Sequence, residues 1–197
     1  MNKGKTPLLV IGCRFLFAGL FITGFVDLWF DIFPQGILSL AWLIYLMVMY
    51  GLAEYVYIAF RDRGIDLSFA SPLLFAVFLL NFVSELLDAQ TRLPDINRAE
   101  HFTSFILLSY IVWTFFTKYL PQDVWQKHPY YTSLLAFAVV SALGVCNEII
   151  ELFLDIMFGT RTVGPGFDTS YDLVMNTLGA TLFLCSRLIY GTLNEEK

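Results

Sequence analysis

The sequence predicts an all-α, polytopic membrane protein: a bundle of six transmembrane helices, both termini cytoplasmic, in a single membrane-embedded domain over residues 1–197. Three observations carry that expectation. Hydrophobic residues make up 57% of the chain, where a soluble domain has about 45–50% apolar residues. They are gathered into blocks long enough to cross a bilayer, which takes about 20 mostly apolar residues. Phenylalanine alone occurs 20 times, as lipid-facing and interfacial surfaces favour.

Six blocks qualify, and residues that break helices bound them. The first, 8–30, follows Met1-Asn2-Lys3-Gly4-Lys5. It is longer than a signal-peptide core and no Ala-x-Ala-like cleavage site follows, so it reads as an uncleaved first helix. Pro34-Gln35-Gly36 leads into the second block, 36–60, which stops at Arg61-Asp62-Arg63-Gly64. The third, 71–90, ends before Leu93-Pro94, and the fourth, 100–120, ends at Pro121. The fifth, 131–158, begins after Pro129, and Gly164-Pro165-Gly166 precedes the sixth, 171–190. There is no internal repeat and no low-complexity segment. The net charge of −5 comes with no basic or acidic tail, so nucleic acid is not an expected partner. Cys13, Cys146 and Cys185 lie inside apolar blocks without CxxC spacing. They read as small buried residues, not as disulfides or zinc ligands.

An even number of spans puts both termini on one side. That side carries Lys3, Lys5, Arg61, Arg63, Lys118, Lys127, Arg187 and Lys197; the other carries Arg92, Arg98 and Arg161. The richer side is expected to be cytoplasmic.

Polar residues then fall at helical spacing, where i, i+3, i+4 and i+7 share a face. The fifth block holds Glu148, Glu151 and Asp155; the sixth begins with Asp168, Asp172, Asn176 and Gly179. The third holds Asn81, Glu85, Asp88 and Arg92, the fourth Arg98, His101 and Ser104, and the first Asp27 and Asp31. All lie toward the outer side. An ionised carboxylate at mid-membrane costs about 2.5–3.5 kcal/mol on insertion scales. Such groups must line a wet cavity, pair with cations, bind a metal or stay partly protonated. The expected metal set is Glu148, Glu151, Asp155, Asp168 and Asp172, holding one divalent cation: Mg²⁺, Mn²⁺ or Ca²⁺, with Zn²⁺ also compatible. His101, Glu148 and Asp172 are the candidate catalytic groups. Arg92, Arg98, Arg161 and Asn176 are candidate substrate contacts, because the guanidinium fork suits phosphate. Plainer roles stand beside these: interhelical hydrogen bonds for the carboxylates, an N-cap for Asp168, headgroup anchoring for the arginines. Gly179 reads as a site of close helix contact, and Glu54 as interfacial or helix-paired.

Two segments also carry a family pattern. Asn97-Arg98-Ala99-Glu100-His101-Phe102 resembles the Asp-Arg-x-x-His-Phe signature of YjdF-type bacterial membrane proteins, distant relatives of the VanZ-like superfamily. Asn147-Glu148-Ile149-Ile150-Glu151, followed by the run from Gly166 to Ala180, resembles their Glu-rich helix and the Asp-x-x-x-Asp helix after it. Asn97 stands where that signature often has Asp. The resemblance implies a small multi-helix membrane protein with no settled reaction; together with the charge asymmetry, the expected place is a bacterial-type cytoplasmic (inner) membrane in the cell envelope, with the site facing the extracytoplasmic side.

Three functions fit these features. The first is metal-dependent hydrolysis or group transfer on a lipid or lipid-linked phosphate. The second is non-catalytic binding of an amphiphile or lipid-tailed glycopeptide, as in a resistance protein. The third is a small transporter, which the lack of repeats disfavours. No Ser-nucleophile motif, HExxH motif or Gly-rich phosphate loop narrows the chemistry further. Membrane lipids and a lipid-linked or amphiphilic ligand are the expected partners.

Overall fold

The computed structural model describes residues 6–30, 32, 40–91, 94–159, 163–164 and 166–195. Among them are seven helices and no strand. The helices are α1 (Leu8–Phe30), α2 (Leu40–Asp62), α3 (Ala70–Thr91), α4 (Pro94–Tyr119), α5 (Gln122–Lys127), α6 (Pro129–Phe158) and α7 (Asp168–Glu195). All but the short α5 are long and apolar enough to cross a membrane. Large side chains such as Phe15, Phe25, Tyr55, Leu134, Ile149, Phe153 and Ile156 are exposed on them, which suits a surface solvated by lipid tails.

The boundaries follow the local chemistry. α4 starts six residues before the expected position, because Pro94 occupies its first turn, where no N–H is needed, and Asp95 complements the helix dipole there. This places Arg98 and His101 inside one continuous helix. α6 ends at Gly159, which adopts φ 66° and donates its N–H to the Asp155 carbonyl at 2.9 Å. That is a left-handed cap that a residue with a Cβ would strain.

The helices cluster into two compact units, Met1–Asn97 and Arg98–Lys197. In the first, α1 packs on α2 and α3. Phe17, Leu20, Trp42, Leu43, Leu46, Phe78 and Phe82 form its core. Phe17 stacks on Tyr50 with ring centroids 3.7 Å apart. The Trp42 indole N–H donates to Asn81 Oδ1 at 3.0 Å, so Asn81 serves this unit's own packing. Arg14 and Glu54 form an ion pair, to which the Tyr50 hydroxyl also donates at 3.4 Å. Glu54 is therefore the helix-paired residue its sequence position allowed. Asp27 is buried in this unit.

In the second unit, α6 packs on α7 and α5. Buried residues recur every three to four positions along each long helix. α4 contributes His101, Ser104, Phe105, Ser109, Trp113 and Phe116; α6 contributes Thr132, Ser133, Ala136, Val140, Gly144 and Glu148; α7 contributes Asp172, Asn176, Ala180 and Leu184. The α4 and α7 stripes run from polar to largely apolar, whereas that of α6 is polar at both ends, with Thr132 and Ser133 at its start and Glu148 beyond Gly144. Phe105, Val140 and Ala180 form one apolar cluster, and Trp113, Phe116, Ala136 and Leu184 another. His101, Glu148, Asp172 and Asn176 lie beyond the first of these.

Candidate functional site

Two close helix approaches build the polar end. A Cβ at Gly179 would lie 2.3 Å from the carbonyl oxygen of Phe102, so α7 rests directly on the α4 backbone. A Cβ at Gly144 would meet Phe105 Cε1 at 3.1 Å and Asn176 Nδ2 at 3.2 Å. Small residues at these positions bring three helices near enough for short polar side chains to touch.

His101 stands at the centre, 6% exposed. Its Nδ1 lies 3.0 Å from Asn176 Oδ1. Its Nε2 lies 3.8 Å from Asp172 Oδ2 and 3.9 Å from Glu100 Oε2. Ser104, one turn along α4, donates to Glu100 Oε1 at 2.8 Å. His101, Glu148 and Glu151 each present one ligand atom, and the three atoms lie within 4.8 Å of one another. The Asn147 amide donates to Glu151 Oε1 at 2.6 Å. Both carboxylate oxygens of Glu148 are buried without a hydrogen-bonding partner among the described residues.

That last feature is unusual. Buried polar groups are nearly always paired, and an unpaired buried carboxylate is costly in a low-dielectric interior. Glu100, Glu148 and Asp172 also lie within electrostatic reach of Glu151. The imidazole thus sits among four acidic side chains. The Arg98 guanidinium is stacked over the Tyr171 ring, 4.5 Å from its centroid, a cation–π contact.

The structure divides the expected site residues. His101, Glu148, Glu151, Asp172 and Asn176 come together. Asp155 and Asp168 serve the α6–α7 connection: Asp155 Oδ2 accepts the Val163 N–H at 3.0 Å, and Asp168 lies against Gly164, where a Cβ would be 2.0 Å from its Oδ2. Arg92 and Arg161 lie outside the described residues, as do Asp31 and the side chain of Asp88. Glu100 is the group that sequence reasoning missed. Its signal was the Glu100–Ser104 pair at i, i+4.

The family model described as "Predicted membrane protein (DUF2238)" matches residues 13–192. No curated protein and no solved structure matches the chain. The chain belongs to the DUF2238 family of membrane proteins.

Proposed function

We propose that this DUF2238 membrane protein binds a divalent cation on His101, Glu148 and Glu151 and uses it for hydrolysis or group transfer on a lipid or lipid-linked phosphate. One observation carries the cation: Glu148 is 6% exposed and neither carboxylate oxygen has a partner at hydrogen-bonding geometry among the described residues, Asn147 and Thr169 being its nearest polar neighbours, while His101 and Glu151 offer ligand atoms close by. Two donors on one ion sit at most about 4.4 Å apart for bonds near 2.2 Å. The three ligand atoms lie within 4.8 Å of one another, so at most a small side-chain adjustment brings them onto one ion. A cation would also let these neighbouring acidic groups ionise side by side.

Such an ion supplies Lewis-acid polarisation of a phosphoryl oxygen and a more acidic bound water. The chain supplies the rest. Asp172 is placed to accept a proton from an attacking water, whose oxygen bonds to phosphorus as the phosphorus–leaving-group bond breaks. The leaving oxygen then takes up the proton that Asp172 received. Arg98, on its aromatic platform, is suited to a phosphate oxygen. The Lys/Arg distribution favours an extracytoplasmic site in a cytoplasmic membrane, and the motif resemblance to VanZ-like proteins favours a role in the cell envelope.

The test is native mass spectrometry of protein purified in mild detergent without chelator, beside Glu148→Gln. A divalent ion present in the native protein and absent from the variant is expected; equal metal content in both overturns this ligand set. Phosphate release from lipid phosphates, lost in Asp172→Asn, then separates catalysis from binding alone.

A further inference from the structure

We infer that the groove between α6 and α7, at the end of the second unit away from His101, binds one anionic glycerophospholipid: an acyl chain lies in the groove, an ester carbonyl accepts from Ser133, and the phosphate meets Lys127 and Arg187. This site is separate from the proposed cation site and does not depend on it.

The groove has a volume of about 280 Å³ and is lined from Tyr130 to Phe137 on α6 and from Thr181 to Leu188 on α7. Its lining residues recur every three or four positions, so each helix offers it one stripe. Small side chains at Ser133, Thr181 and Cys185 leave the gap, and Leu134, Phe137 and Leu184 make it apolar. Seven residue steps rise about 10 Å along a helix. Over that length, 280 Å³ corresponds to a channel roughly 5 Å wide. This suits a single methylene chain, whose carbons make contact at about 4 Å. An α-helix, about 10 Å across, does not fit.

The polar groups say which lipid. Ser133 is 5% exposed, and its Oγ has no hydrogen-bonding partner among the described residues. A helical serine or threonine can donate to the carbonyl four residues back, as Thr132 does to His128 at 3.4 Å. Ser133 does not, so its donor calls for an acceptor from outside the helix. A bare hydrocarbon brings none, whereas the ester carbonyls of a glycerophospholipid stand between its chains and its phosphate. Tyr130, 67% exposed at the start of α6, marks the headgroup level, where tyrosine rings gather. Lys127 ends α5, Arg187 adjoins Leu188 of the groove, and both are exposed. Among the described side chains at this end, Lys118, Lys127 and Arg187 outnumber Asp123. Cations complement phosphate, and basic residues beside grooves between spanning helices recur in anionic-lipid recognition.

The test uses full-length protein in phosphatidylcholine vesicles with a trace of phosphatidylglycerol carrying a diazirine on one acyl chain. After illumination, cross-links are expected on residues 130–137 and 181–188, and unlabelled phosphatidylglycerol should displace them. Lys127→Gln and Arg187→Gln should each lower the yield about five-fold, and Ser133→Ala by a similar factor. A diether analogue, which lacks the carbonyl, should bind native protein and Ser133→Ala equally. Cys185→Trp fills the groove from an exposed position and should abolish the cross-links without lowering the melting temperature. Cross-links scattered over the other spanning helices overturn the inference, as do cross-links that phosphatidylglycerol fails to displace or that survive both charge-removing substitutions. A dimer that Cys185→Trp dissociates, with lipid labelling unchanged, gives the groove to a second copy and overturns it too.

Discussion

Gly179→Ala should push α7 off α4 and separate Asn176 from His101. The new methyl would stand 2.3 Å from the Phe102 carbonyl oxygen and 3.2 Å from its carbon. The obstacle is helix backbone, so it cannot rotate away as a side chain could. Restoring ordinary contact requires a retreat of roughly 1 Å. Phe102 adjoins His101, and Asn176 lies one turn from Gly179, so the retreat passes almost undiminished to the 3.0 Å bond between them. At about 4 Å that bond no longer exists. Overpacking of this kind costs about 1–3 kcal/mol, and the lost buried hydrogen bond adds about 1 kcal/mol. The assay is thermal unfolding in detergent together with Zn²⁺ affinity. Gly19→Ala is the control, since a Cβ there meets nothing within 4 Å, and it should melt at or slightly above the native protein, because alanine favours a helix interior over glycine. Unchanged melting and unchanged Zn²⁺ affinity in Gly179→Ala would refute the claim that this helix contact sets the site geometry.

Glu148→Gln should raise the melting temperature of the metal-free protein, because it removes an unpaired buried charge, and should abolish the rise on adding metal; a lower metal-free melting point would count against an uncompensated carboxylate. Chelation of the native protein should lower its stability by about 2.7 kcal/mol if the ion was present at 100 times its Kd, read as a melting shift that metal reverses. Asp155→Asn and Asp168→Asn should leave metal content intact, since both side chains serve the α6–α7 connection; loss of metal in either would return that residue to the ligand set. In the first unit, removing Arg14 or Glu54 singly leaves a partner charge within a spanning helix and should cost about 1–3 kcal/mol, below the fully buried range because both side chains are partly exposed. The double variant Arg14→Met/Glu54→Gln should recover most of that loss in a double-mutant cycle, and additive losses would show that the pair is not coupled.

Block length and hydropathy were enough to read the six long helices, because a bilayer leaves little choice of structure to a run of about 20 apolar residues. α1 matches its expected limits of 8 and 30. α4 did not, because its first turn, Pro94-Asp95-Ile96-Asn97, is polar, and hydropathy cannot tell a polar helix start from a loop. α5 is a single turn and a half, too short for any periodicity to register. Helical spacing grouped Glu148 with Glu151, and the two lie close together beside His101. It also extended the stripe to Asp155, but spacing does not report where a helix stops, and Asp155 lies in the last turn beside the α6–α7 connection. Glu100 escaped for a related reason: adjacent residues on a helix are not expected to face the same way, yet its longer side chain reaches back to the imidazole. The two glycine contacts were only partly visible, since a glycine in a helix marks a close approach without naming what approaches.

The apolar layers of the second unit bear on whether its carboxylates could serve a carrier. A relay across the membrane needs polar groups or water at every depth. Along α7 the inward positions run Asp172, Asn176, Ala180, Leu184. The polar pair is thus followed by two apolar layers, Phe105–Val140–Ala180 and then Trp113–Phe116–Ala136–Leu184. From Asn176 to Leu184 the axial distance is about 12 Å at 1.5 Å per residue. Ser109, buried between these layers on α4, donates back to its own helix at the Phe105 carbonyl, 2.6 Å away. A polar cluster closed on one side in this way suits binding and chemistry at one face of the membrane. Protein reconstituted into vesicles should therefore carry neither protons nor Zn²⁺ down an imposed gradient, while Ala180→Ser/Val140→Thr, which adds hydroxyls to the first layer, is the variant expected to leak. Flux through the native protein that Glu148→Gln abolishes would overturn the one-sided site and revive the carrier.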